Sequence, residues 1–237
     1  MGVRVLQKAT IKQKLTKKDM AIFVLLGITA VLITVAGIYY RQSFLRILPL
    51  YISIVISMLQ TRVNRFAYLM GGMNSILYGA VYIYYKLYGA AFSALLFSFP
   101  IQILTFIRWN KHKRGNSTAL RKLSNKQRVC IILGYSASLA VMWFLLPLIG
   151  SQYVFLDSAT TLLGILIYFL TMFAYIEYTS FMLVNCTITT VLYITMLKAE
   201  PETMTYLIYS IYSIVCTAFA FFEARKLYRI QQNENMT

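Results

Sequence analysis

Hydrophobic residues in this chain run together instead of alternating with polar ones. The runs cover 20–40, 44–60, 66–84, 89–107, 128–148, 158–175, 178–196 and 203–222. Each is about 17–25 residues long, enough for a helix to cross a ~30 Å hydrocarbon core. A backbone in lipid must satisfy its own hydrogen bonds, which leaves helices or a closed barrel. Long unbroken runs, without ten-residue alternation, predict helices. The pattern therefore predicts an all-α polytopic membrane protein with eight transmembrane helices. The second span is the most interrupted, with Arg46 and Pro49 near its start and "YYRQS" separating it from the first.

Eight spans place both termini on one side, and the basic residues give that side a sign. Nineteen of the 23 Lys and Arg flank it: six between Arg4 and Lys18, then Arg62 and Arg65, eight between Arg108 and Arg128, and Arg225, Lys226 and Arg229. Only Arg41, Arg46, Lys86 and Lys198 fall on the other side. Positive flanks stay in the cytoplasm, so a multi-pass plasma-membrane protein with both termini cytoplasmic is expected. This distribution makes the net charge of +16 a topology signal and a contact with the lipid bilayer, with no nucleic acid as partner. A hydrophobic content of 59%, with 13% charged residues, excludes an ordinary soluble domain. Cys130, Cys186 and Cys216 lie in apolar runs without CxxC spacing and read as reduced packing residues.

The one long hydrophilic connection, 108–128, holds the lone His112 among like charges and reads as a solvated linker between two halves. Shifting the chain by 111 positions brings the second, third and fourth spans onto the sixth, seventh and eighth. "NSILYGAVYI" at Asn74 then meets "NCTITTVLYI" at Asn185, with Tyr82 on Tyr193 and Ile83 on Ile194. Spans four apart run in the same direction, so the repeats are parallel. The predicted layout is an extra N-terminal helix (1–43), a three-helix bundle (44–107), a loop and linker helix (108–149), a second bundle (150–224) and a tail (225–237), a 3-1-3 arrangement.

Two amides placed alike in hydrocarbon are the main chemical clue. Intramembrane polar residues either join helices, at ~0.6–2 kcal/mol, or line a substrate path, and their equivalent positions favour the path. On the seventh span Tyr178, Phe181, Asn185 and Thr189 follow at helical spacing on one stripe. The matching third-span stripe carries Asn74 and Tyr78. The fourth adds Gln102, able to donate and accept, behind a kink expected at Pro100. Tyr209 and Tyr212 are candidates on the eighth, while Gly71 and Gly72 read as packing positions. Asp157, Glu177, Glu200, Glu202 and Glu223 all sit at span ends, so no central carboxylate offers itself to a coupling proton. Neither the clustered acids of a membrane transferase nor an HExxH motif occurs, which argues against an enzyme and against any metal or cofactor.

The stretches "YLMGGMNSILYGAVYI", "YKLYGAAFSALLFSFPIQILTFIRWNKHK", "FLDSATTLLG" and "EYTSFMLVN", spread over roughly residues 50 to 227, resemble the Pnu-type (PnuC) bacterial vitamin transporters, whose best-known members carry nicotinamide riboside. The resemblance implies a SWEET-like fold with an added N-terminal helix and a homo-oligomer, a trimer. It also implies facilitated passage of an unphosphorylated vitamin that is trapped inside by phosphorylation. In that family two tryptophans one turn apart, then an Asn, stack on and read the ligand. Tyr178 and Phe181 stand at the tryptophan positions and Asn185 at the Asn, keeping π-faces but losing indole area and its N–H. Gln102 stands where a family Gln faces the ligand. The expected cargo is a small ring-bearing vitamin or nucleoside, nicotinamide riboside first. Thiamine or another vitamin, and a sugar in a SWEET-like carrier, remain alternatives.

Overall fold

The computed structural model describes residues 17–114, 117–148 and 150–234, and the basic positions Arg4, Lys8, Lys12 and Lys14 lie outside them. Eight long helices follow in order among the described residues. They are α1 (Lys17–Tyr39), α2 (Phe44–Gln60), α3 (Phe66–Tyr84), α4 (Tyr88–Lys111), α5 (Asn125–Leu148), α6 (Val154–Met172), α7 (Tyr178–Met196) and α8 (Met204–Glu234). Seven are long and apolar enough to cross a membrane, and α2, with 17 residues, is the shorter apolar one. A two-residue hairpin, β1 (Lys113–Arg114) with β2 (Ser117–Thr118), interrupts the connection after α4.

Three helix ends differ from the apolar runs, each for a local reason. α6 starts at Val154, ahead of the expected 158, because its first turn carries Asp157, a buried carboxylate with partners of its own. α8 continues twelve residues past 222 to Glu234, since good helix formers without Gly or Pro follow the apolar run. Gln231 then anchors this polar tail, accepting from the Leu120 N–H at 2.9 Å and donating to the Thr118 carbonyl at 3.1 Å. α4 widens into π-helical turns over Ser93–Ser98, just ahead of Pro100. The wider turns accommodate a residue that cannot donate to the preceding ladder.

α3 packs between α2 and α4, and α7 packs between α6 and α8. The two sets meet along α2 with α8 and along α4 with α6. α1 lies against α8 and α2, whereas α5 packs along α6 and is only 6% buried in its central window. The turns entering α3 and α7 repeat each other bond for bond. Val63 (φ 51°) and Ala174 (φ 58°) both take the left-handed conformation. Val63 N–H donates to Gln60 and Asn64 N–H to Leu59, as Ala174 N–H donates to Thr171 and Tyr175 N–H to Leu170. These are αL helix terminations without the usual glycine.

The two sets are fastened at one end by acid groups. Asp157 accepts from the N–H groups of Gly89 (3.1 Å) and Ala90 (3.0 Å), which are otherwise unpaired at the start of α4, and from the Ser151 hydroxyl (3.1 Å). A carboxylate suits a helix N-terminus because the orphan N–H groups and the dipole are both positive there. A β-carbon on Gly89 would approach Asp157 Oδ2 to 3.0 Å, a tight contact that glycine avoids. At the same end Glu202 forms a two-pronged ion pair with Arg46, whose guanidinium lies 4.4 Å over the Tyr84 ring. At the opposite, basic end, residues 119–123 form a strap. Arg121 exchanges backbone hydrogen bonds with Ala174 and Ile176, and buried Leu120 and Leu123 press inward.

Asp157→Ala strands the N–H groups of buried Gly89 and half-buried Ala90 and should lower stability in detergent by about 2–3 kcal/mol. Melting curves test this, and an unchanged midpoint would contradict the fastening role.

Candidate functional site

Polar residues of α2, α3, α4, α6, α7 and α8 that cannot face lipid turn toward one another and enclose a cavity of about 260 Å³. Seven tyrosines line it: Tyr68, Tyr78, Tyr82, Tyr168, Tyr178, Tyr193 and Tyr209. Ser53, Ser75, Ser98, Gln102, Asn74, Asn185, Thr189, Ser213 and Cys186 supply hydrogen-bonding groups. Among the described residues no Asp, Glu, Lys or Arg lines it. The lining residues pair across the chain at the same offset of 111. Ser53 corresponds to Gly164, Gln60 to Thr171, Asn74 to Asn185, Ser75 to Cys186, Tyr82 to Tyr193 and Gln102 to Ser213.

The pairs are equivalent in place and unequal in chemistry. Asn74, 2% exposed, donates both amide hydrogens to α2, to the Pro49 carbonyl and to Ser53 Oγ, each at 2.9 Å. Ser53 in turn donates to the Tyr78 hydroxyl at 2.9 Å, so α2 and α3 are stitched through this amide. The Asn74 Oδ1 atom is buried and has no partner. Asn185 makes no hydrogen bond with the protein among the described residues, and its Oδ1 is likewise buried and unpartnered. Buried polar atoms are nearly always bonded, and these two amide oxygens, on residues at matching places in the lining, are without a partner among the described residues.

Gln102 is held in a short chain of its own. Its Nε2 donates to Ser98 Oγ at 2.6 Å and Ser75 Oγ at 3.3 Å, and the two hydroxyls bond each other. Its Oε1 occupies the space that a β-carbon on Gly71 would need, so Gly71 keeps room for this amide as well as for helix approach. Tyr78 and Tyr82 rings stack with centroids 5.4 Å apart. Tyr82 and Tyr193, its counterpart in the other half, both line the cavity. Beyond these two lies a smaller hollow of about 100 Å³, bordered by Leu87, Ala90, Thr160 and Thr161. Tyr82, Tyr168, Asn185, Thr189 and Tyr193 border both spaces. Asn185 therefore borders two adjoining hollows.

Of the residues expected from sequence, Asn74, Tyr78, Gln102, Tyr178, Asn185, Thr189 and Tyr209 share the cavity wall. Phe181 and Tyr212 do not. Phe181 packs with Leu123, Leu170 and Tyr178 beside the cavity. Tyr212 is buried, its hydroxyl donating to the Ile54 carbonyl at 3.0 Å. One geometric reason covers both. At about 100° per residue, Phe181 turns roughly 60° off Tyr178 on the side away from Met182 and Cys186. Tyr212 turns off Tyr209 in the same way, while Ser213 and Thr217 continue the wall. Tyr168 and the serines of α2 and α4 were missed. The offset itself could have found several of them, because Ser53, Ser75 and Ser98 fall opposite other lining residues.

The family model described as "Nicotinamide mononucleotide transporter" matches residues 43–224. No curated protein matches the chain significantly. Among solved structures the chain is similar to one described as "Crystal structure of the Vitamin B3 transporter PnuC", with a TM-score of 0.77 and 22% identity. The alignment covers 90% of this chain and 93% of that one, and the likeness is one of fold.

The two amides should part company in stability. Asn74→Leu removes two hydrogen bonds to α2 and should cost about 1–2 kcal/mol. Asn185→Leu removes none and should stay within about 0.5 kcal/mol of the parent. Thermal melts of the two variants check this, and equal losses would contradict the contrast.

Proposed function

The chain belongs to the nicotinamide mononucleotide transporter family, and on that premise we propose that it carries an unphosphorylated, ring-bearing vitamin or nucleoside, nicotinamide riboside first. The family is one of transporters, and the chain is a multi-pass membrane transporter, not an enzyme. The observation that carries the cargo reading is the wall itself: seven tyrosines and neutral hydrogen-bonding groups, with no charged residue. A phosphate dianion taken into such a wall would be desolvated with no cation to receive it, a large cost. A pyridinium ring is favoured instead, because its positive charge is attracted to tyrosine faces. Tyr178, Tyr78 and Tyr209 would hold the ring, and Asn74 Oδ1, Asn185, Gln102 and Thr189 would meet the ribose hydroxyls and the carboxamide. Phe181 and Tyr212 would support this wall from behind. Thiamine, a second flat cation, fits the same argument, whereas a neutral sugar would leave the aromatic excess without purpose.

The likeness to the vitamin B3 transporter structure agrees with this reading. So does the repeated turn at Val63 and Ala174, together with the constant offset of lining residues. They support two parallel three-helix repeats, α2–α4 and α6–α8, joined by α5 and preceded by α1. The cargo would pass between the repeats through the two adjoining hollows by facilitated movement. Asp157, the nearby buried acid, is already committed to Gly89, Ala90 and Ser151 and is left out of any proton coupling. The basic end is assigned to the cytoplasm of a plasma membrane. The exposed face of α5 is offered to a homotrimer interface.

Nicotinamide riboside should stabilise the purified protein, by about 2.7 kcal/mol at a hundredfold excess over Kd. Asn185→Leu should weaken binding at least about tenfold, a loss of about 1.4 kcal/mol. Unchanged affinity in that variant would defeat the assignment. Stabilisation by thiamine alone, or by glucose alone, would move the cargo to the corresponding alternative.

A further inference from the structure

A second concavity, of about 390 Å³, lies at the basic end outside the transport cavity. Its cationic groups arrive from three elements: Lys122 on the strap, Arg128 on α5, and Arg225 and Arg229 one turn apart on α8. Among the described residues Glu177 is the one carboxylate on its wall, and it is already engaged. It accepts from the Leu123 N–H at 3.1 Å and pairs with Arg128 at 2.9 Å. Arg225 is held with its guanidinium 4.0 Å over the Phe221 ring. Among the described residues, Lys122 and Arg229 meet no carboxylate at ion-pair distance.

Lys122 and Arg229, without a carboxylate partner, thus share one hollow with Arg225, and the Ser180 and Tyr228 hydroxyls lie beside them. Like charges one helical turn apart repel, by a few tenths of a kcal/mol, about 0.2–0.5. The inside-positive bias needs only basic flanks and does not require charges from separate elements to converge on a concavity. Guanidinium forks, an ammonium and hydroxyls are the donor set that recognises phosphate oxygens.

We propose that this hollow binds a phosphate group. The group is supplied either by the headgroup of an anionic phospholipid or by a soluble phosphate ester. A phosphate there would draw Lys122, and with it the strap, onto the start of α7 and the tail of α8. Tyr178, which lines the transport cavity, directly follows the Glu177 of this wall. Bound phosphate would therefore stiffen the basic end of the passage. The proposal uses side chains outside the cavity and stands or falls separately from the cargo.

The full chain, purified in an uncharged detergent, is melted with phosphatidylglycerol, with phosphatidylcholine of the same acyl chains, and with inorganic phosphate at constant ionic strength. The double variant Lys122→Gln/Arg229→Gln is compared with Lys111→Gln/Lys126→Gln, which removes equal charge elsewhere at the same end. The expected result is a rise of several degrees with an anionic probe and none with phosphatidylcholine. The rise should fall by half or more in the first variant and persist in the second. A rise with phosphatidylglycerol alone identifies a headgroup, and a rise with inorganic phosphate identifies a soluble ester. Arg229→Gln alone replaces the double variant if that variant melts early without a probe. The proposal is overturned if no anionic probe outperforms phosphatidylcholine, or if both double variants lose the rise equally.

Discussion

An unpartnered amide in hydrocarbon costs several kcal/mol, so the Asn and Gln side chains set into these spans find a partner or face a hollow. That requirement orients the helices. Ser53, Asn74 and Tyr78 satisfy one another between α2 and α3, and Ser75, Ser98 and Gln102 do so between α3 and α4. Among the unpartnered buried atoms, the Oδ1 atoms of Asn74 and Asn185 belong to residues that line the cavity.

The same economy of polar contacts fixes the ends of the bundle. Asp157 on α6 takes the free N–H groups that start α4, and Glu202 near α8 takes Arg46 on α2. These are the two seams along which the sets of three helices meet, so each seam carries a charged clasp at the same end. The opposite end is closed differently, by the strap whose Leu120 and Leu123 are buried and whose backbone bonds to Ala174 and Ile176. Cationic side chains converge at this second end, around Arg225 and Arg229, while the described residues lining the cavity are neutral.

Much of this was legible in the sequence because lipid allows so few alternatives. Long apolar runs give helices, and the matched frames around Asn74 and Asn185 gave the offset on which the cavity wall turns out to pair. The resemblance to Pnu-type transporters is met by the family match over 43–224. Helix faces were harder. Spacings of three and four both read as one side, yet Phe181 and Tyr212 sit three residues from a lining tyrosine and fall off the wall, while Met182 and Ser213, four away, stay on it. The π-helical turns before Pro100 add to the difficulty, since they shift the register of α4 where Ser98 turns inward. Asp157 read as an end-of-span acid, because nothing in its own segment announces the distant N–H groups of Gly89 and Ala90.

The account rests on one cavity, enclosed by α3 and α7 and their neighbours, in which a flat cationic ring meets tyrosines and open amide oxygens. Cys186 reports on it directly, since its thiol lies on the wall beside Ser213 and Thr217. In a Cys130→Ser/Cys216→Ala background, the rate at which a small methanethiosulfonate modifies Cys186 is measured with and without saturating nicotinamide riboside. The account predicts that the ligand slows the reaction severalfold and that an equal concentration of glucose does not. The same rate with and without a ligand shown to be transported would contradict it.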